Sequence, residues 1–220
     1  MLGRAGVIHA GEGYIKTSAH AGGTLRRMVT DGQISEMVAL VARWALGAKY
    51  RIVTAESCTG GWIAKSFTDA AGSSRWFECG YVTYSNAAKV RDLGVTSRTL
   101  EVHGAVSEPT VREMAVGALR ISGADVSIAV SGIAGPDGGT AEKPVGTVWF
   151  CVGRRQRGAG ASVSFGEAPV EAGAGGPGGP NSAASAGFEL ISEGEVFAGD
   201  RETVRRASVK RALELMLRLT

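Results

Sequence analysis

Several large classes of protein depend on features that this sequence has little of. Three cysteines, Cys58, Cys79 and Cys151, lack the paired spacing of a disulfide framework or a zinc site, so reduced thiols in a cytoplasmic setting are expected. No apolar run approaches the ~18 residues of a membrane span, and the N-terminus lacks the basic-then-apolar order of a signal peptide. The formal charge of +3, from 24 Lys and Arg against 21 acids, is too small for a surface that coats nucleic acid. Neither a nucleic-acid nor a membrane partner is therefore expected. Histidine is also scarce, at three residues. His9 and His20 fall in a glycine-rich extension and His103 in a loop-like His-Gly-Ala stretch, so hydrolytic chemistry is short of its commonest base. No internal repeat is found.

What is present is an ordinary globular composition, 44% hydrophobic and 20% charged over 220 residues, enough for one sizeable core. Residues 1–30 have no sustained periodicity and read as a flexible N-terminal extension. Residues 31–220 read as one domain. Ile34, Met37, Val38, Val41 and Leu46 recur at helical spacing and predict a helix ending near Gly47. Residues 51–54 predict a short strand, followed by a tight Ser57–Gly61 turn into a helix holding Trp62, Ile63 and Phe67. Residues 79–84 predict a second strand, and a short helix carries Lys89. Ser107-Glu108-Pro109 starts a helix running to about Ser122. Residues 126–130 and 145–152 have the continuous apolar character of central strands covered on both faces. Residues 167–187 have almost nothing large to bury and predict a mobile Gly/Ala/Pro-rich insertion. Strand character resumes over 188–197. A closing helix over 201–219 turns Val204, Leu213, Met216 and Leu217 inward. This alternation predicts an α/β fold, a three-layer α/β/α domain with a central mixed sheet.

Ser57 falls where a strand passes into a helix. Such a turn exposes a hydroxyl beside free backbone N–H groups, which can stabilise an oxyanion, while Gly60 and Gly61 allow close approach. Taken alone, the same residues also fit a helix cap, with Ser57 or Thr59 as the capping group. A serine nucleophile needs a base within reach. Lys89 qualifies if burial lowers its pKa from ~10.4 toward roughly 7–8, and Tyr84 can then relay a proton or position the amide. As a solvated helix lysine it would have no such role. Ser131-Gly132-Ile133-Ala134-Gly135-Pro136-Asp137-Gly138-Gly139 follows an apolar strand and suits either a backbone-lined anion site or a plain turn. It is neither a Walker loop nor a Rossmann fingerprint. Cys58 is a rival nucleophile with no obvious histidine partner. Asp137, Glu142 and Asp200 lack a ligand spacing, so neither a metal nor a cofactor is expected.

Together, Thr54-Ala55-Glu56-Ser57-Cys58-Thr59-Gly60-Gly61, Val82-Thr83-Tyr84-Ser85-Asn86, Lys89, His103-Gly104-Ala105-Val106-Ser107 and Ser131 to Pro136 resemble the CinA C-terminal family, as does the later Phe197-Ala198-Gly199-Asp200-Arg201. Its characterised members are nicotinamide mononucleotide deamidases. The resemblance implies Ser57 as nucleophile, with Lys89 and Tyr84 completing the catalytic set. It implies a substrate site drawn from Cys58, Thr59, Gly60, Asn86, Ser131, Gly132 and Arg201, the last as a phosphate clamp. The expected activity is deamidation of nicotinamide mononucleotide to nicotinate mononucleotide and ammonia, in pyridine nucleotide salvage. A homo-oligomer is expected. The alternatives are a catalytically silent nucleotide-binding module of the same family and a Cys58-dependent hydrolase.

Overall fold

A computed structural model describes residues 28–156 and 187–220 in full, together with the backbone of two short strands, β1 (Val7–Ala10) and β2 (Gly13–Thr17). Apart from Gly187, the insertion expected at 167–187 lies outside the described residues, as do residues 1–6, 11–12 and 18–27 of the N-terminal extension.

The remaining elements follow the sequence closely. Helix α1 (Asp31–Ala48) opens on a capping box between Thr30 and Gln33, which satisfies otherwise orphaned amides. Next come β3 (Ile52–Glu56), α2 (Trp62–Thr68), β4 (Phe77–Val82), α3 (Asn86–Leu93), α4 (Ser97–His103) and α5 (Glu108–Ser122). β5 (Val126–Gly132), β6 (Thr147–Arg155), β7 (Phe188–Val196) and α6 (Arg201–Met216) complete the chain. Ser107 caps α5 as expected, with Pro109 in its first turn.

The sheet has the order β1-β2-β7-β6-β5-β3-β4. β3, β4 and β5 are parallel, whereas β6 is antiparallel to both β5 and β7. It is therefore mixed, as expected. Alternation along each strand divides the core in two. Ile52, Ile128, Val130 and Phe150 face a layer built from α1, α2 and α6, while Val53, Ala55, Ala129 and Cys151 face α5 and Leu93 of α3. The domain is a three-layer α/β/α sandwich.

Four local expectations differ. Leu46 is exposed rather than inward. His103 ends α4, a helix that the short Ser97–His103 segment does not announce by periodicity. β4 stops at Val82, so Tyr84 lies beyond the strand. Within residues 1–30, read as a flexible extension without sustained periodicity, the described backbone forms the β1–β2 hairpin, whose second strand pairs in parallel with β7.

Candidate active site

Because β3 and β5 run parallel with Glu56 opposite Val130, the segments that follow them emerge side by side at one end of the sheet. The Ser57 amide donates to the Val130 carbonyl at 3.0 Å, which continues the ladder by one bond and seats the serine on the sheet rim. The chain then turns sharply. Gly60 and Gly61 adopt φ of 63° and 89°, a region glycine enters without steric cost, and the Gly60 amide donates to the Ser57 carbonyl at 3.0 Å.

No side chain at the N-cap position, Gly61, caps α2. Glu56 does so from the strand end. Its fully buried carboxylate accepts the Ile63 amide at 3.1 Å and the Ala64 amide at 2.8 Å. The anion sits where the helix dipole favours it and ties the start of α2 to β3, with the serine turn held between them. The amides of Ser57 and Gly60 are thus engaged. Those of Cys58 and Thr59 donate to no oxygen of the described residues.

Lys89 reaches the same point from α3, which begins at the Ser85 cap. The side chain is only 1% exposed. Its Nζ lies 2.9 Å from Ser57 Oγ, 2.7 Å from the Thr83 carbonyl and 3.4 Å from the Tyr84 carbonyl. Burial lowers its pKa from 10.5 to about 8, because removal from water penalises the ammonium. The partner set also fixes the direction of the proton. A neutral amine keeps two N–H bonds and one lone pair, and the two carbonyls can only accept. They therefore take the N–H bonds and leave the lone pair facing the Ser57 hydroxyl.

Cys58 is a poor rival. It is buried, and desolvation pushes its thiol up to about 12, which withholds the thiolate that does the chemistry.

The other sequence-predicted residues divide into groups. Tyr84 is 61% exposed. Its carbonyl contacts Lys89, but its hydroxyl accepts a hydrogen bond from Arg201 Nη2 at 3.0 Å, so the phenol is not in the Ser57–Lys89 hydrogen-bond chain. Arg201 also donates to the Gly135 carbonyl at 2.8 Å. The start of α6 is thereby joined to the loop after β5. Ser131 is buried and donates to the Ala105 carbonyl at 2.7 Å, which binds the His103–Ser107 segment to the sheet end. Gly132 is required sterically, since a Cβ there would stand 2.6 Å from Val148 Cγ2 and 2.9 Å from the Thr147 carbonyl. Thr59 is buried with an unpartnered hydroxyl. Asn86 is exposed in the first turn of α3. Asp200 caps α6 through the Thr203 amide.

Two participants were not singled out from the sequence. Glu56 lies inside the Thr54–Gly61 motif, but nothing local shows that its carboxylate reaches the amides seven and eight residues ahead of it. Arg205 does leave a signal, because it falls one helical turn after Arg201 on the same face of α6.

A family model, the CinA C-terminal domain, matches residues 34–171. Nicotinamide-nucleotide amidohydrolase PncC of Escherichia coli is 48% identical over 186 residues, covering 84% of this chain and 91% of that protein. The protein of the same name from Pseudomonas putida is 44% identical over 169 residues, covering 77% of this chain and 86% of its own length. Among solved structures, the competence/damage inducible protein CihA from Agrobacterium tumefaciens superposes with a TM-score of 0.70 at 36% identity, covering 86% of this chain and 96% of that one.

Proposed function

This chain belongs to the CinA C-terminal domain family, and on that premise we propose that it is an amidohydrolase converting nicotinamide mononucleotide to nicotinate mononucleotide and ammonia. The observation that carries the mechanism is the buried 2.9 Å contact between Lys89 Nζ and Ser57 Oγ. The reading draws further support from relatives that match most of the chain and are named nicotinamide-nucleotide amidohydrolases.

Neutral Lys89 takes the Ser57 proton as Oγ bonds to the carboxamide carbon, and the carbonyl π pair moves onto oxygen. The Cys58 and Thr59 amides stabilise that oxyanion, the kind of fixed donor that acts most strongly where charge develops. On collapse the C–N bond breaks, and Lys89 returns its proton to the departing nitrogen. Water then attacks the acyl-enzyme with Lys89 again as base, and Ser57 is regenerated. Arg201 binds the phosphate. A guanidinium in the first turn of a helix is electrostatically misplaced until an anion joins it, and its unused N–H groups suit phosphate oxygens. Tyr84 orients Arg201 through its hydroxyl. Residues 31–220 act as one domain, and the protein works as a cytoplasmic homo-oligomer in pyridine nucleotide salvage.

The test is incubation of the purified protein with nicotinamide mononucleotide and a chelator, following ammonia and nicotinate mononucleotide. Wild-type protein should release both in equal amounts, and Ser57→Ala and Lys89→Ala should release neither while melting cooperatively. An active Ser57→Ala protein refutes the mechanism.

A further inference from the structure

We infer that Arg205 is a positioning residue for the oxyanion site, holding the carbonyls of the serine turn so that the free Thr59 amide faces the developing oxyanion; this rests on the Ser57 reading above.

Arg205 lies in the second turn of α6, remote in sequence from Ser57. Its Nε donates to the Cys58 carbonyl at 3.0 Å and its Nη2 to the Thr59 carbonyl at 2.8 Å. Each bond fixes a peptide plane. In a trans peptide the C=O and N–H point in opposite directions, so drawing the Cys58 carbonyl toward Arg205 aims the Thr59 amide away from it. The second bond does the same for the 59–60 peptide, whose Gly60 amide closes the turn onto the Ser57 carbonyl at 3.0 Å. One guanidinium therefore sets two successive planes, a task suited to its rigid fork.

The guanidinium is itself held in place. It is half-buried, its carbon lies 5.3 Å from the Trp62 ring centroid, and a Cβ on Gly60 would stand 3.5 Å from Nη2. Arg206, by contrast, is tied to Asp31 and Glu202. Arg205 has no such carboxylate partner among the described residues, so its positive charge is left beside the turn where negative charge develops. That field reaches the turn, since Arg205 acts to lower the Cys58 thiol against the larger effect of burial.

Arg201 and Arg205 thus divide the labour of one helix face. Among the described residues, the first bonds to the loop after β5 and the Tyr84 hydroxyl, and the second bonds to the serine turn and lies over Trp62. A defect at Arg205 should appear in the chemical step and leave ground-state binding intact.

The experiment compares wild type, Arg205→Ala and Arg205→Lys for kcat and KM with nicotinamide mononucleotide, affinity for nicotinate mononucleotide, inhibition by pyridine-3-boronic acid, and melting temperature. The boronic acid forms a tetrahedral anion on a serine oxygen and reports the oxyanion site without turnover. Arg205→Ala should lose about 10- to 100-fold in kcat, somewhat less than deletion of a donor because the amides are loosened rather than removed. Boronate affinity should fall in parallel. KM and product affinity should change less than about threefold, and methylguanidinium should restore part of kcat. Arg205→Lys, which keeps the charge but makes one bond, should fall between and keep the native melting temperature. A folded Arg205→Lys protein with wild-type kcat and boronate affinity overturns the inference. Loss of product binding in step with kcat also overturns it. If wild type turns over and Ser57→Ala does not, either result defeats the Arg205 role alone; a wild-type protein that neither releases ammonia nor binds the boronate defeats the functional reading, and this inference with it.

Discussion

The lowered pKa of Lys89 makes a quantitative prediction about pH. Catalysis needs the uncharged amine, so activity should rise as the proton leaves. With a pKa of about 8, about one-tenth of Lys89 is neutral at pH 7 and half at pH 8, and rate should fall about tenfold per unit below pH 7. The assay is initial ammonia release between pH 6 and 10 at saturating and limiting nicotinamide mononucleotide. The substrate phosphate titrates near ~6, so a parallel series with nicotinamide riboside removes its contribution. The limb near 8 should persist without the phosphate and disappear together with activity in Lys89→Arg, whose guanidinium stays charged. Stability supplies a second sign. Since the folded pKa is depressed from 10.5 to about 8, the unfolded chain binds more protons in that interval, and wild-type stability should rise from pH 8 to about 10.5. Below pH 8 the full cost of burying the ammonium is present, about 3 kcal/mol by the size of the shift. The melting temperature of Lys89→Met relative to wild type should therefore be greatest below pH 8 and decline toward pH 10.5. A pH–rate profile flat from 6 to 9 refutes the assignment of Lys89 as base.

Other perturbations separate binding from chemistry and stability. Arg201→Ala should raise KM about 10- to 100-fold with a smaller change in kcat, and inorganic phosphate should inhibit the wild type more than the variant; an unchanged KM argues against the clamp. Glu56→Gln places an amide NH2 against backbone donors in place of one carboxylate oxygen, at a cost of about 1–3 kcal/mol; denaturant unfolding should show it, and an unchanged midpoint contradicts the capping role. Gly132→Ala forces a methyl against Val148 and the Thr147 carbonyl, so about 1–3 kcal/mol of destabilisation is expected, read from thermal melting.

Periodicity revealed most of the architecture because the buried faces are regular. Val126 to Val130 form one uninterrupted buried run, and α6 does turn Val204, Leu213 and Met216 inward. Ser57 is legible from its place at a glycine turn between strand and helix, and Lys89 from the scarcity of histidine and the motif resemblance; the structure brings the two together. Tyr84 shows the limit. Its place in the motif marked it as part of the site, but only the end of β4 at Val82 determines that its carbonyl, not its phenol, meets Lys89. Arg205 and Glu56 escaped for a related reason. Each acts on backbone atoms, and the backbone carries no residue-type signature at the receiving end. Helix α4 is too short for an amphipathic repeat to stand out, so its caps and its packing against α5 decide it.

The β6–β7 pairing has a practical corollary. Arg155 stands opposite Phe188, and the Gln156 amide donates to the Gly187 carbonyl at 2.9 Å. The chain thus departs and re-enters on adjacent rungs, at the end of the ladder opposite Ser131. Six rungs separate Val126 from Gly132 along β5, a span of roughly 20 Å. Foreign sequence put in place of residues 157–186, a fluorescent tag for instance, would be anchored at the far rim of the sheet from the serine turn.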